Sequence, residues 1–146
     1  MLIRQAGWDD LTGLLALYTH LHGNGMPPLD DAIRGLWRQI LDDPNHYVLL
    51  AVEDGIAVSS CVLIVVRNLT RSQRPYALIE NVVTHEAYRR RGYASAVLNH
   101  AGEIAARKRC YKIMLLTGAR DEATLRFYER AGYNRKDKTA FIQWLE

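Results

Sequence analysis

The residues with the most evident chemistry lie between Ile79 and Ala96. A strand-like run, Leu78-Ile79-Glu80-Asn81-Val82-Val83-Thr84, is followed after a short link by Arg89-Arg90-Arg91-Gly92-Tyr93-Ala94-Ser95, where a helical apolar pattern starts. The first N–H groups of a helix have no internal partner and carry partial positive charge, so a turn that aims several at one point can hold a diphosphate. Glycine at 92 allows close approach, Ala94 and Ser95 keep the next turn slim, and three arginines add positive charge at the mouth. A solvated basic loop ending at an ordinary helix boundary has the same composition, and the segment is neither G-x-G-x-x-G nor G-x-x-x-x-G-K-[ST]. The context decides between the two readings.

Other sites of chemistry are sparse. Cys61 and Cys110 each sit inside an apolar run and read as thiols filling a core. His20, His22, His46, His85 and His100 are scattered without cysteine or carboxylate partners, so no metal is expected. No G-x-S-x-G or Cys-His context supplies a nucleophile. Arg67, Arg71, Arg74 and Arg89 to Arg91 could face a nucleic acid, but aromatic residues do not interleave with them and no reading helix is evident.

The positioning elements follow from periodicity. Leu2 to Ala6 reads as a strand, and Leu11, Leu14, Leu15, Tyr18 and Leu21 recur at the spacing of one helix face. A glycine and proline break over residues 22–28 precedes a second helix, starting at Asp30 or Asp31, with Ile33, Leu36, Trp37, Ile40 and Leu41 on its face. Tyr47 to Val52 and Ile56 to Val66 are strands joined by Asp54-Gly55, a strong hairpin signal. A basic loop from Arg67 to Pro75 leads to a strand over Tyr76 to Thr84, then the helix from Gly92 with Ala94, Val97, Leu98, Ala101 and Ile104 inward. Tyr111 to Leu116 is a further strand. Asp121 caps a helix whose inward face is Thr124, Phe127, Tyr128 and Ala131, with Gly132 as its stop. A last strand is expected over Thr139 to Leu145. This order predicts a mixed sheet covered by helices.

With 146 residues, 49% of them hydrophobic, the chain can bury one core, and a single domain over 1–146 is expected. No apolar run reaches 18 residues, and the first ten residues lack the layout of a signal peptide. A soluble, cytoplasmic protein with no membrane partner is the expectation. The formal charge of +3 is a mild basic bias whose placement matters more than its size.

In this context the chain resembles the GNAT superfamily of N-acetyltransferases, whose central signature is [QR]-x-x-G-x-[GA]. Arg89, Gly92 and Ala94 match it, and Phe127, Tyr128, Gly132 and Tyr133 match the late F-Y-x-x-x-G-[FY] element. The resemblance covers the whole chain in element order, while residues 78–133 carry its specific part. Ile79-Glu80-Asn81-Val82-Val83 and Cys110-Tyr111-Lys112-Ile113 look most like the glucosamine-phosphate N-acetyltransferase branch. That branch usually has Q-x-x-G-x-G where this chain reads Arg89-Arg90-Arg91-Gly92-Tyr93-Ala94.

The resemblance implies an α/β fold with a mixed, mostly antiparallel central sheet, flanked by helices and with splayed parallel strands at a coenzyme site. It implies transfer of an acetyl group from acetyl-CoA to a primary amine of a small molecule, without a metal, by a homodimer joined through the C-terminal strand. Val82, Val83 and Thr84 are the positions that would meet the pantetheine arm, and the amides of Arg90 to Ser95 would meet the pyrophosphate. Asp121 stands where many members have a coenzyme-holding asparagine, and caps its helix in the alternative reading; Thr124 lies one turn on. Tyr128 matches the tyrosine that protonates the departing sulfur, or is a core aromatic, or both. Glu80 is placed to deprotonate the amine from an apolar setting that would raise its pKa, or else faces solvent. The acceptor pocket is expected between the two N-terminal helices, the Arg67 to Pro75 loop and the last strand, with Trp37, Tyr76 and Trp144 at its wall. The basic loop then hints at an anionic acceptor. Rival readings are a protein or peptide acetyltransferase and a coenzyme-sensing module without turnover.

Overall fold

Alternation along the central strands decides where the helices pack. In a computed structural model that describes residues 1–23 and 25–146, five strands form one sheet in the order β1 (Leu2–Gln5), β2 (His46–Glu53), β3 (Ile56–Val66), β4 (Tyr76–Thr84) and β5 (Ile113–Leu115). Leu49, Ala51, Cys61, Leu63, Ala77 and Ile79 point to one face, and Val48, Leu50 and Val62 to the other. Strands buried on both faces lose the polar alternation of a half-exposed sheet, which is why β2 and β3 read as continuous apolar runs.

Each face has its own helices. α1 (Leu11–His22) and α2 (Asp31–Asp42) cover the second face, burying Leu11, Leu14 and Trp37 there. α3 (Tyr93–Arg107) covers the first through Val97, Leu98, Ala101 and Ile104, joined by Phe127 and Tyr128 of α4 (Glu122–Arg130) and by Ala131 just after it. Asp30 caps α2 by accepting from the Ile33 N–H at 2.9 Å. Asn24, inside the break between α1 and α2, lies outside the described residues.

The first three strand pairings are antiparallel and the fourth is parallel. The β2–β3 hairpin turns at Asp54 and Gly55, both with positive φ (51° and 78°), as its sequence predicts. α3 supplies the crossover that a parallel β4–β5 pair needs.

Two expectations need correction. The strand placed at Tyr111 to Leu116 shrinks to Ile113–Leu115, because only those three residues find partners on β4. The strand placed at Thr139 to Leu145 is not formed, and the segment is irregular, with Phe141, Trp144 and Leu145 exposed by 90%, 79% and 92%. An apolar segment of strand-like composition becomes a strand only if an edge is available to pair with it, and this chain lays it on none of its own edges.

Candidate active site

The site grows from an irregularity in β4. Val62 pairs with Glu80 and Ser60 with Val83, so Asn81 and Val82 together face the single residue Cys61. Asn81 takes up the extra length with φ of 52°, a left-handed backbone that asparagine tolerates better than most residues, at a cost of roughly 1 kcal/mol. Such bulges bend a strand and redirect its side chains.

Just before the bulge, β4 loses its other neighbour. β5 pairs with it only through Ala77–Ile113, Leu78–Met114 and Ile79–Leu115, whereas β4 runs on to Thr84. The parallel pairing therefore stops at Ile79 and Leu115, and from Glu80 onward one edge of β4 has no strand beside it among the described residues. Val83 stays buried, Val82 is half-buried against the α3 face, and Thr84 Oγ1 lies 2.9 Å from Ser59 Oγ, which also donates to the Val83 carbonyl at 2.9 Å. Ser59 thus holds the far end of β4 to β3 while the near edge stays open.

The chain runs from this open-edged end of β4 to the start of α3. The link from β4 is stapled locally: His85 Nδ1 accepts from the Ala87 N–H at 3.1 Å, and Arg89 Nε donates to the Thr84 carbonyl at 3.2 Å. Tyr88 stands edge-on to His85 and Tyr93, with the Arg91 guanidinium 5.4 Å from its ring centroid. Arg90 and Gly92 have φ of 62° and 84°, and α3 begins on Gly92 with no side-chain cap. The first amide paired along the helix is that of Ala96, donating to the Gly92 carbonyl at 3.0 Å. The N–H groups of Gly92, Tyr93, Ala94 and Ser95 are left for an external acceptor. A Cβ built at Gly92 meets no protein atom within 4 Å, so backbone conformation, and not crowding within the chain, demands glycine. Arg89, Arg90 and Arg91 are exposed around this turn. This arrangement fits a bound diphosphate.

Tyrosines approach the bulge from both faces. Tyr128 packs on the first face, in the cluster that holds Cys61 and with Tyr133 beside it, and Tyr18 of α1 packs on the second. Burial pushes the Tyr18 and Tyr133 phenols up to about 12 and raises that of Tyr128. Tyr128 packs edge-on against Phe127 at 5.1 Å and Tyr133 at 6.4 Å, so the aromatic packing expected of it is present beside its polar end. Cys61 is wholly buried, its thiol also driven up to about 12, which suits core packing and not nucleophilic attack.

The remaining expected residues divide. Asp121 is an N-cap: its Oδ2 accepts from the Thr124 N–H at 3.0 Å and from Thr124 Oγ1 at 2.7 Å, and these hydrogen bonds hold its carboxyl below the usual value. Glu80 is exposed, the second of the two readings open for it and not the apolar setting; it also lines a cavity on the α1–α2 face. That cavity includes Trp37 but neither Tyr76 nor any residue of the Arg67 to Pro75 loop, and Trp144 is on the surface. The loop lies instead against the C-terminal end of α3, where Arg74 donates to the carbonyls of Arg109 and Cys110 at 3.0 and 3.3 Å. The sequence reading missed Asn81 and Tyr18, which lie side by side at the cavity. The signal for Asn81 was present, since Glu80-Asn81 interrupts the apolar run of β4 with two adjacent polar residues. Among the described residues no group of three metal-ligating side chains comes together, and no helix is long and apolar enough to cross a membrane.

Comparison with known proteins places these features. Residues 10–133 match the model of the Acetyltransferase (GNAT) family. A Glucosamine 6-phosphate N-acetyltransferase of Trypanosoma brucei brucei is 33% identical over 84 residues, 58% of this chain and 55% of that protein, so the chain spans about half the length of this curated relative. A solved structure from Agrobacterium tumefaciens, named provisionally as an acetyltransferase, is 41% identical over 99% of this chain and 100% of its own, with a TM-score of 0.91. A Trypanosoma brucei acetyltransferase structure follows at 26% identity and TM-score 0.83, covering 98% of this chain and 99% of its own. The chain belongs to the GNAT acetyltransferase family.

Proposed function

We propose that this N-acetyltransferase moves the acetyl group of acetyl-CoA directly to the primary amine of a small molecule, in the cytoplasm and as a homodimer. The observation that carries the reading is the open β4 edge from Glu80 onward, which leads to the four unpaired amides of Gly92 to Ser95. A long acyl donor with a diphosphate needs both, one for its amide-bearing arm and one for its charge.

The chain's own groups then divide the work. Acetyl-CoA supplies an activated thioester carbonyl carbon when bound. Arg89 to Arg91 and the amides at the start of α3 hold the diphosphate, while the backbone around Val82 and Val83 aligns the pantetheine arm and polarises the carbonyl. Glu80, lining the cavity, takes a proton from the protonated amine directly or through water, since an ordinary alkyl amine is charged at neutral pH. As the C–N bond forms and the C–S bond breaks, Tyr128 gives its proton to the departing sulfur, and the proton that the nitrogen sheds as it becomes an amide restores the phenol; burial favours the protonated phenol that this step needs. No covalent acyl-enzyme is required.

The homodimer is proposed from the C-terminal segment. Phe141, Ile142, Trp144 and Leu145 are exposed, and β5 is a sheet edge with no second neighbour. Pairing with a second copy would bury both. Release of coenzyme thiol, followed across a panel of amines with the full chain, tests the transfer reading. Acetyl-CoA-dependent thiol release with at least one amine is expected; calorimetric coenzyme binding with no turnover on any amine would favour a sensor and sink it.

A further inference from the structure

Resting on the transfer reading, we infer that the acceptor is an amine carried on an apolar body, an arylalkyl or alkyl amine, and not an anionic amine. A cavity of about 390 Å³ lies between α1, α2 and the sheet, within the size range of small-ligand pockets. Its walls are Leu14, Leu15, Ile33, Trp37, Ile40 and Ile64, among others of the same kind. No lysine or arginine lines it, and burial lowers the pKa of its one histidine, His46, favouring the neutral ring, so a phosphate or carboxylate on the acceptor would be desolvated there without a fixed cation to meet it. The basic loop that suggested an anionic acceptor is bound to the far end of α3 instead.

Apart from His46, beside Ile64 at the start of β2, the polar groups of the cavity gather at the bulge. Glu80 and Asn81 are adjacent on β4, at the bulge where its edge is left without β5, and the Tyr18 hydroxyl lies beside the Asn81 side chain. An exposed carboxylate next to an amide and a phenol suits an ammonium group, and the long apolar wall behind it suits what that group is attached to. A second cavity of about 420 Å³, under the α1–α2 connection, shares Leu15, Tyr18 and Asn81 with the first. Asn81 therefore stands where both spaces meet the strand. Leu36 lines the first cavity yet is 55% exposed, and so it can be changed without opening the core.

Steady-state kinetics with saturating acetyl-CoA compare 2-phenylethylamine and hexylamine with ethanolamine and glucosamine 6-phosphate. The apolar amines should have kcat/KM at least about tenfold above the others, the scale set by burying one or two extra methylenes. Leu36→Gln should raise KM for 2-phenylethylamine by about threefold or more and leave KM for acetyl-CoA unchanged, as expected for lost acceptor binding alone. Ile40→Asn serves as the second variant, with a thermal melt to verify folding. Preference for glucosamine 6-phosphate or ethanolamine would overturn the inference while leaving acetyl transfer intact. Unchanged KM for 2-phenylethylamine in two folded variants would also overturn it. No thiol release with any amine would remove the transfer reading itself, and this inference with it.

Discussion

Asn81 allows backbone and side chain to be separated by experiment. Its φ of 52° suits glycine better than asparagine, so Asn81→Gly should fold at least as well. If the side chain only tolerates the bulge, the glycine variant keeps full activity; the expected result is an unchanged melting temperature with acceptor kcat/KM lowered by about tenfold. Asn81→Val, β-branched at a positive φ, should lose both. Tyr128 offers a different separation. Tyr128→Phe keeps the packing against Phe127 and Tyr133 and removes the proton donor. It should lower kcat by about 10²-fold, the usual scale of acid catalysis, with calorimetric affinity for acetyl-CoA unchanged. Because burial raises the Tyr128 pKa, the proton is kept to higher pH than in a free phenol, and loss of kcat through its ionisation should set in at higher pH than an exposed tyrosine would give. The family resemblance, carried by residue type at fixed spacing as at Arg89, Gly92 and Ala94, was legible in the sequence. The pairing of Tyr18 with Asn81 was not, because it joins a helix to a strand 63 positions later and no local pattern encodes that contact.

At the level of elements, the start of α3 and the start of α4 contrast. α4 has an N-cap carboxylate in Asp121, while α3 begins on Gly92 with none and leaves its amides open. Gly92→Val should strain a φ of 84° and place a branched side chain beside those amides, weakening acetyl-CoA binding by calorimetry by about tenfold or more. Asp121→Ala should lower the melting temperature by a few degrees through loss of the cap. The pH dependence has a definite sign: the Asp121 carboxyl is held below its ordinary value, so its stabilisation is present above about pH 4 and is lost as pH falls through the depressed value. In Asp121→Asn that part of the acid sensitivity should vanish from melts recorded at falling pH. Helices and the central strands followed from periodicity because their partners are fixed by burial within the chain. The bulge and the shortened β5 did not, since both depend on where pairing stops, which is a property of two strands together.

For the whole molecule, the C-terminal segment is the part that its own fold leaves unused. Thr139 to Leu145 has the composition of a strand, yet no edge of this chain receives it. A local pattern can say that a segment wants a sheet, but not which copy supplies it. The full chain should sediment as a dimer, and a Phe141→Ser, Trp144→Ser double variant should shift toward the monomer while its core melts cooperatively. A monomeric full chain would count against the proposed assembly. β5 is also the least secured strand, held by three residue pairs at one edge, whereas β3 is buried between two neighbours along most of its length. Amide protons of Ile113 to Leu115 should therefore exchange with deuterated solvent well before those of Cys61 to Val65, through local opening that leaves the rest folded. A donor bridging β4 and β5 would hold the two strands together, so saturating acetyl-CoA should slow exchange most in β5 and the second half of β4, giving a footprint of occupancy that can be read without any knowledge of the acceptor.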